Sequence, residues 1–179
     1  LTGKAAEESV YMQQDLLTSL KELFNNAKDL TAAIQKTIEE NSGLKAQVED
    51  FVKQKVQQIK ASLLERAEDI NGIKVIKSVL PTGISPDAVK DLAFQVSGQL
   101  PEKMLCVLGS SYEGKPLLTV MISKDLVKDN ALNAGQMVRE AAKLIQGGGG
   151  GAPHFATAGG KDVNGLEAAV EKVLELADL

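Results

Sequence analysis

Arg139 and Lys143 stand one helical turn apart in the stretch Asn133 to Gln146, which runs directly into Gly147, Gly148, Gly149, Gly150 and Gly151. His154 and Lys161 follow shortly after. Cations at i and i+4 share a helix face, so Arg139 and Lys143 are spaced to hold a phosphate or a ribose beside the glycines; the other reading is ordinary helix-surface charge. His154 reads either as a donor to a phosphate or sugar or as a surface residue in a loop. Successive glycines forfeit backbone entropy, and a folded chain carries them where the main chain turns tightly or comes very close to something else. The following Ala156-Thr157-Ala158-Gly159-Gly160 keeps side chains small. Contact along this stretch is therefore expected from main chain more than from side chain.

Familiar nucleotide motifs do not fit. Gly147, Gly149 and Ala152 match G-x-G-x-x-A in form, but a dinucleotide turn follows a strand and opens a helix, whereas this run follows a helix. A phosphate-binding P-loop needs Gly-Lys followed by Ser or Thr; Gly160-Lys161 is followed by Asp162. Metal chemistry is equally poorly provided for. The chain has one Cys, Cys106, and one His, His154, while a structural zinc site takes about four such ligands and a catalytic one about three. Cys106 lies within an apolar run and reads as a buried core thiol. The acidic pairs Glu39-Glu40 and Glu49-Asp50 fall on a long helical segment and read as a solvated face. No catalytic constellation emerges, and no cofactor is expected.

Composition narrows the partners. The 179 residues are 44% apolar and 3% aromatic, with a net charge of −4. So few rings cannot build the repeated stacking platform of a single-strand binder, and the balance of charge excludes a wholly electrostatic nucleic-acid binder. RNA contact would rest on a local basic patch or on backbone N–H groups. No apolar run approaches the ~20 residues of a membrane span, no secretory signal is evident, and a lone Cys suits a reducing compartment. The expectation is a soluble cytoplasmic protein. The chain opens without methionine and is expected to be a piece of something longer.

These residues need elements to hold them. Apolar residues recur at helical spacing over 5–27, and Asn25-Asn26 breaks the pattern before Asp29, a plausible N-cap. The helical signal resumes from Leu30 to about Asp69, with Gly43 as a candidate bend. The two segments predict an antiparallel helical hairpin of coiled-coil character, whose apolar stripe either closes on itself or is covered by a second copy or a neighbouring domain. Asn71-Gly72 reads as the helix end. Beyond it come a strand from Ile73, a helix capped by Ser85-Pro86-Asp87, and buried strands at Met104–Leu108 and Leu117–Ile122 joined through Glu113-Gly114. A helix opening at Asn130 or Asn133 precedes the glycines, taken here as a loop. A short strand over Phe155–Ala158 and a helix over Asn164–Ala177 follow. The fold class is α/β: a long-helix hairpin over residues 1–70, then a small mixed-sheet domain over 71–179 with a glycine-rich loop at 147–151, in the order β-α-β-β-α-loop-β-α.

The segment NAGQMVREAAKLIQGGGGGAPHFATAGG, residues 133–160, closely resembles the C-terminal region of bacterial alanyl-tRNA synthetases, including the DHHA1 domain that they share with DHH-type phosphoesterases. The resemblance is carried by Asn133-Ala134-Gly135, by Val138 to Lys143, by Gly147–Gly151, and by Pro153 followed by Ala156, Ala158, Gly159 and Gly160. The helical stretch Ile38-Glu39-Glu40-Asn41 with Leu44 resembles the family's linker helices. Two positions depart from the pattern: Ala152 stands where a basic or hydroxylic residue is frequent, and Thr157 where Gln is frequent. The loss of a cation at Ala152 weakens any side-chain contact with phosphate and leaves backbone contacts intact.

The resemblance implies a module that binds alanine-specific tRNA at its outer corner. It would link the aminoacylation core and the zinc-bearing editing domain of a parent chain, both of which lie N-terminal to the matched region. It also implies dimerisation through the helical part in some members. In the phosphoesterase relatives catalysis belongs to a separate metal-binding domain, so this chain by itself is expected to hydrolyse nothing. The tRNA-contacting set expected on this reading is Gly147–Gly151, His154, Lys161, Arg139 and Lys143. The alternative is a module that assembles or packs on its parent without touching RNA.

Overall fold

A computed structural model of the chain describes residues 3–129 and 132–179. It divides into two compact units, one reaching to Phe51 and one running from Val52 to Leu179. Helix α1 spans Lys4–Leu23. Asn25 and Asn26 then take left-handed backbone angles (φ 53° and 56°), which stop the helix as αL caps do. Helix α2 spans Leu30–Glu65 and passes through Gly43 without interruption. Its start is fixed by Asp29, whose Oδ1 accepts the Ala32 N–H at 2.9 Å, the N-cap role expected of it.

In the first unit the apolar stripe is open. Tyr11, Leu17, Ile38, Leu44 and Phe51 are all more than half exposed, so α1 and the N-terminal part of α2 do not close over it.

The second unit is a six-stranded mixed sheet in the order β1-β2-β3-β4-β6-β5. The strands are β1 Glu68–Ile70, β2 Ile73–Val79, β3 Met104–Tyr112, β4 Lys115–Ile122, β5 Gly148–Ala152 and β6 Phe155–Gly159. Only β2 and β3 run parallel, and their crossover is helix α3, Pro86–Gln99. This is the connection a parallel pair needs. Ser85 caps α3 by accepting the Ala88 N–H, with Pro86 in the first turn, as its sequence predicts.

Two helical layers sandwich the sheet. On one face α3 and the last turns of α2 bury Val56, Leu63, Leu92 and Val96 against Ile76, Cys106 and Leu108. The opposite face is covered by α5 (Ala134–Ala141), the 3₁₀ turn Ala142–Ile145 that continues it, and α6 (Leu166–Glu175). There Val138, Ile145, Val170 and Val173 pack on Val107, Leu118 and Val120. A short helix α4, Lys124–Asp129, joins β4 to this layer. Asn133 opens α5, its Oδ1 accepting the Gln136 N–H at 3.2 Å; Asn130 lies outside the described residues.

Three sequence expectations change. The long helix ends at Glu65, and β1 takes up the residues assigned to its last turn. Asn71-Gly72 is therefore no helix cap: with φ of 55° and 81° it is the two-residue turn between β1 and β2, where Ile70 pairs with Ile73. The same dipeptide suits a helix C-terminus or a type I′ hairpin, and only pairing with β2 decides between them. The helix before the glycines keeps its expected span between Asn133 and Gln146, its final turn being 3₁₀ and Gln146 closing it in the left-handed region (φ 50°). Finally, the glycine run is not a loop: residues 148–152 form β5, the edge strand beside β6.

Candidate nucleic-acid interface

The glycine strand is held by a close approach on each side. An ideal Cβ at Gly147 would fall 2.0 Å from the Gly159 carbonyl oxygen, one at Gly149 2.2 Å from that of Thr157, and one at Gly151 2.4 Å from that of Phe155. All three obstacles are backbone, so Gly147 and then alternate positions of β5 exclude any side chain. On the other side α5 presses in through Gly135, where a Cβ would stand 2.8 Å from the Gly151 carbonyl oxygen. This explains the Asn-Ala-Gly start of the helix. Asn133 caps it, the Ala134 N–H donates to the Pro153 carbonyl at 2.8 Å, and Gly135 leaves room for the strand.

The intervening positions face outward. A Cβ on Gly148 would meet nothing within 4 Å, and one on Gly150 would meet only the Arg139 guanidinium, from 3.5 Å. The result is an exposed edge strand with bare main chain and one arginine laid across it. Such a surface offers N–H and C=O groups directly to a ligand, with a charge beside them.

The expected residues do not all converge. Arg139 joins the strand at Gly150. Lys143 is exposed one turn further along but is ion-paired with Glu140. His154 and Lys161 sit at opposite ends of the β5–β6 hairpin, because Ala152 pairs with Phe155 and Gly148 with Gly159. At ~3.3 Å per residue these ends are separated by roughly 13 Å. His154 occupies the turn, and its carbonyl accepts the Ile122 N–H at 2.9 Å. Lys161 is exposed, with its N–H donating to the Ile145 carbonyl at 2.9 Å. The cations are thus strung along the hairpin rather than gathered into one pocket.

Sequence reasoning missed Phe94. Its ring lies 5.1 Å from that of Phe155 at 35° and is 46% exposed. The available signal was position: on α3 it falls beside the apolar stripe of Val89, Leu92, Ala93 and Val96 instead of within it.

Away from this surface, Cys106 is buried in β3, and burial pushes its thiol pKa up to about 12. Asp125 accepts the Lys103 N–H at 2.8 Å. The Ser123 hydroxyl foremost, then backbone N–H groups including that of Lys103, hold its carboxyl below the usual carboxylate range against an opposing effect of partial burial. No group of three or more His, Cys, Asp or Glu among the described residues is placed to hold a metal ion. No described helix is long and apolar enough to cross a membrane.

Comparison with known proteins agrees with this architecture. The model of the DHHA1 domain matches residues 72–178. An "Alanine--tRNA ligase" of Bacteroides fragilis strain YCH46 is 57% identical over 178 residues, 99% of this chain and 20% of the relative. One of Porphyromonas gingivalis is 43% identical over 180 residues, covering 100% and 20% respectively. The chain thus spans about a fifth of the length of these curated relatives. The crystal structure of the C-Ala domain from Aquifex aeolicus alanyl-tRNA synthetase is similar in fold, with TM-score 0.56 and 25% identity over 63% of this chain and 97% of that one. The likeness to alanyl-tRNA synthetases, read most specifically from residues 133–160 and also from the helical stretch at 38–44, holds along the chain, and the chain belongs to the DHHA1 domain family.

Proposed function

We propose that this chain is the tRNA-binding and domain-bridging C-terminal module of an alanine–tRNA ligase, acting in the cytoplasm. Residues 1–70 serve as the helical linker and 71–179 as the domain facing RNA. It contacts the outer corner of alanine tRNA and so supports aminoacylation and editing by domains elsewhere in the parent chain; alone it catalyses nothing. The observation that carries this reading is the bare, exposed edge strand β5 with Arg139 across it, in a chain so similar to alanine–tRNA ligases. Folded RNA is recognised by shape, through phosphate and 2′-OH contacts, which main-chain donors supply without a large positive charge. Arg139, beside Gly150, supplies the cation that Ala152 lacks. Lys143, Lys161 and His154 extend the contact along the hairpin.

The test is a titration with alanine tRNA at two salt concentrations, competed by single-stranded RNA of equal length. Saturable binding that only folded tRNA displaces is expected, and equal displacement by any polyanion would refute shape recognition.

The open stripe on α1 and α2 favours a second, compatible reading, in which the helical segment pairs with a second copy of the chain. Leu17, Leu44 and Phe51 are each more than half exposed, the pattern of a seam awaiting a partner. Sedimentation that gives a monomer at high concentration would remove this reading.

A further inference from the structure

Beside the hairpin turn lies an open groove of about 470 Å³, lined by Phe94, Ser97, Met121, Ser123, Lys124 and His154 among others. We propose that it holds one unstacked nucleotide of a bound RNA, with the base against Phe94 and the phosphate at Lys124 and His154. The proposal rests on the RNA-binding reading above and names a second contact, distinct from the glycine strand.

Three observations support it. The Phe94–Phe155 contact places an aromatic ring at the surface in a chain that is only 3% aromatic, and unstacked bases are held on aromatic faces. No lining residue is acidic, and both ionisable ones, Lys124 and His154, are exposed with no ion-pair partner among the described residues. In a chain of net charge −4 this one-signed lining suits an anion more than a protein surface of mixed charge. Third, the turn is clamped from two sides. The His154 carbonyl accepts from Ile122 N–H at 2.9 Å and the Pro153 carbonyl from Ala134 N–H at 2.8 Å, so the wall carrying His154 is already in place before a ligand arrives. The volume falls in the usual range of small-ligand sites, ~300–1,000 Å³.

The experiment uses two readouts. Alanine tRNA is titrated into the wild-type chain, Phe94→Ala and Lys124→Glu. In parallel, Phe94→Trp supplies a single indole, since the chain has no Trp, and its emission is followed against adenosine or cytidine 5′-monophosphate and against ribose 5-phosphate. Saturable quenching by the nucleotides but not by ribose 5-phosphate is expected, with tRNA binding weakened about tenfold by Phe94→Ala, the size of one base–aromatic stack. Lys124→Glu alters only an exposed side chain and keeps the test valid if Phe94→Ala fails to fold. Unchanged tRNA affinity in both variants, with no quenching specific to nucleotides, overturns the groove while leaving tRNA binding intact; a groove that serves a protein partner gives this result. Nucleotide quenching in a chain whose wild type binds no tRNA overturns the groove as a contact to bound RNA, together with the wider RNA reading.

Discussion

At the scale of single residues, adjacent glycines differ in what they permit. Gly149→Ala drives a methyl group into the Thr157 carbonyl and the Ala158 backbone, and a strand cannot yield there without losing its pairing. A loss of about 2–3 kcal/mol is expected, against about 0.5 kcal/mol or less for Gly148→Ala, whose Cβ enters open space. Urea unfolding of the two variants measures the difference, and equal midpoints would contradict this packing. Cys106, with its thiol pKa at about 12, stays protonated and sealed in the sheet; a thiol-reactive dye should label it only as fast as the domain opens. Asp125 has its folded pKa lowered, so its stabilising effect is complete above the unfolded value of ~3.9 and fades as pH falls through the lower folded value. Asp125→Asn should therefore be less stable than wild type at neutral pH, and the two should converge in acid. A gap that persists once the carboxyl is protonated in both folded and unfolded chains would assign the loss to something other than charge.

At the scale of elements, the β5–β6 hairpin and α5 depend on one another. Helix α5 approaches β5 only because Gly135 lacks a side chain, and the Ala134 N–H finds its acceptor at Pro153 in the hairpin turn. A change that breaks β5 should thus loosen α5 as well, visible as joint loss of amide protection in both segments by hydrogen exchange. Helix α1 and the N-terminal part of α2 stand in a different position: Leu17, Ile38, Leu44 and Phe51 are exposed in the single chain. If the stripe pairs two copies, Leu17→Glu with Leu44→Glu should convert a dimer to a monomer in sedimentation while the second unit stays folded.

At the scale of the whole molecule, the RNA recognition proposed above would fall to a chain of net charge −4 with a few placed cations. Each phosphate neutralised contributes a slope of roughly −0.7 to −0.9 to the fall of log K with log salt. Arg139→Ala with Lys143→Ala should reduce alanine-tRNA affinity and flatten that slope by up to about two contacts. An unchanged slope would place the RNA elsewhere on the surface. The smaller effect is expected from Lys143, whose ammonium is already paired with Glu140.

Much of this architecture was legible in the order of residues, because the signals are local. Ser85-Pro86-Asp87, Asp29 and Asn133 open helices through side-chain caps that reach only three residues on. The apolar runs of β3 and β4, joined by Glu113-Gly114, specify a hairpin without help from the rest of the chain. What local pattern left undecided was everything that depends on a distant partner. Asn71-Gly72 became a hairpin turn instead of a helix end because Ile70 found Ile73. Gly148–Ala152 became a strand because β6 supplied an edge to pair with and α5 a flat surface to approach; glycines carry no strand propensity of their own. The candidate site divides in the same way. Cation spacing and glycine content are properties of sequence. That Arg139 lies over Gly150 while His154 and Lys161 fall at opposite ends of the hairpin is a matter of register, and register is set only when two strands meet.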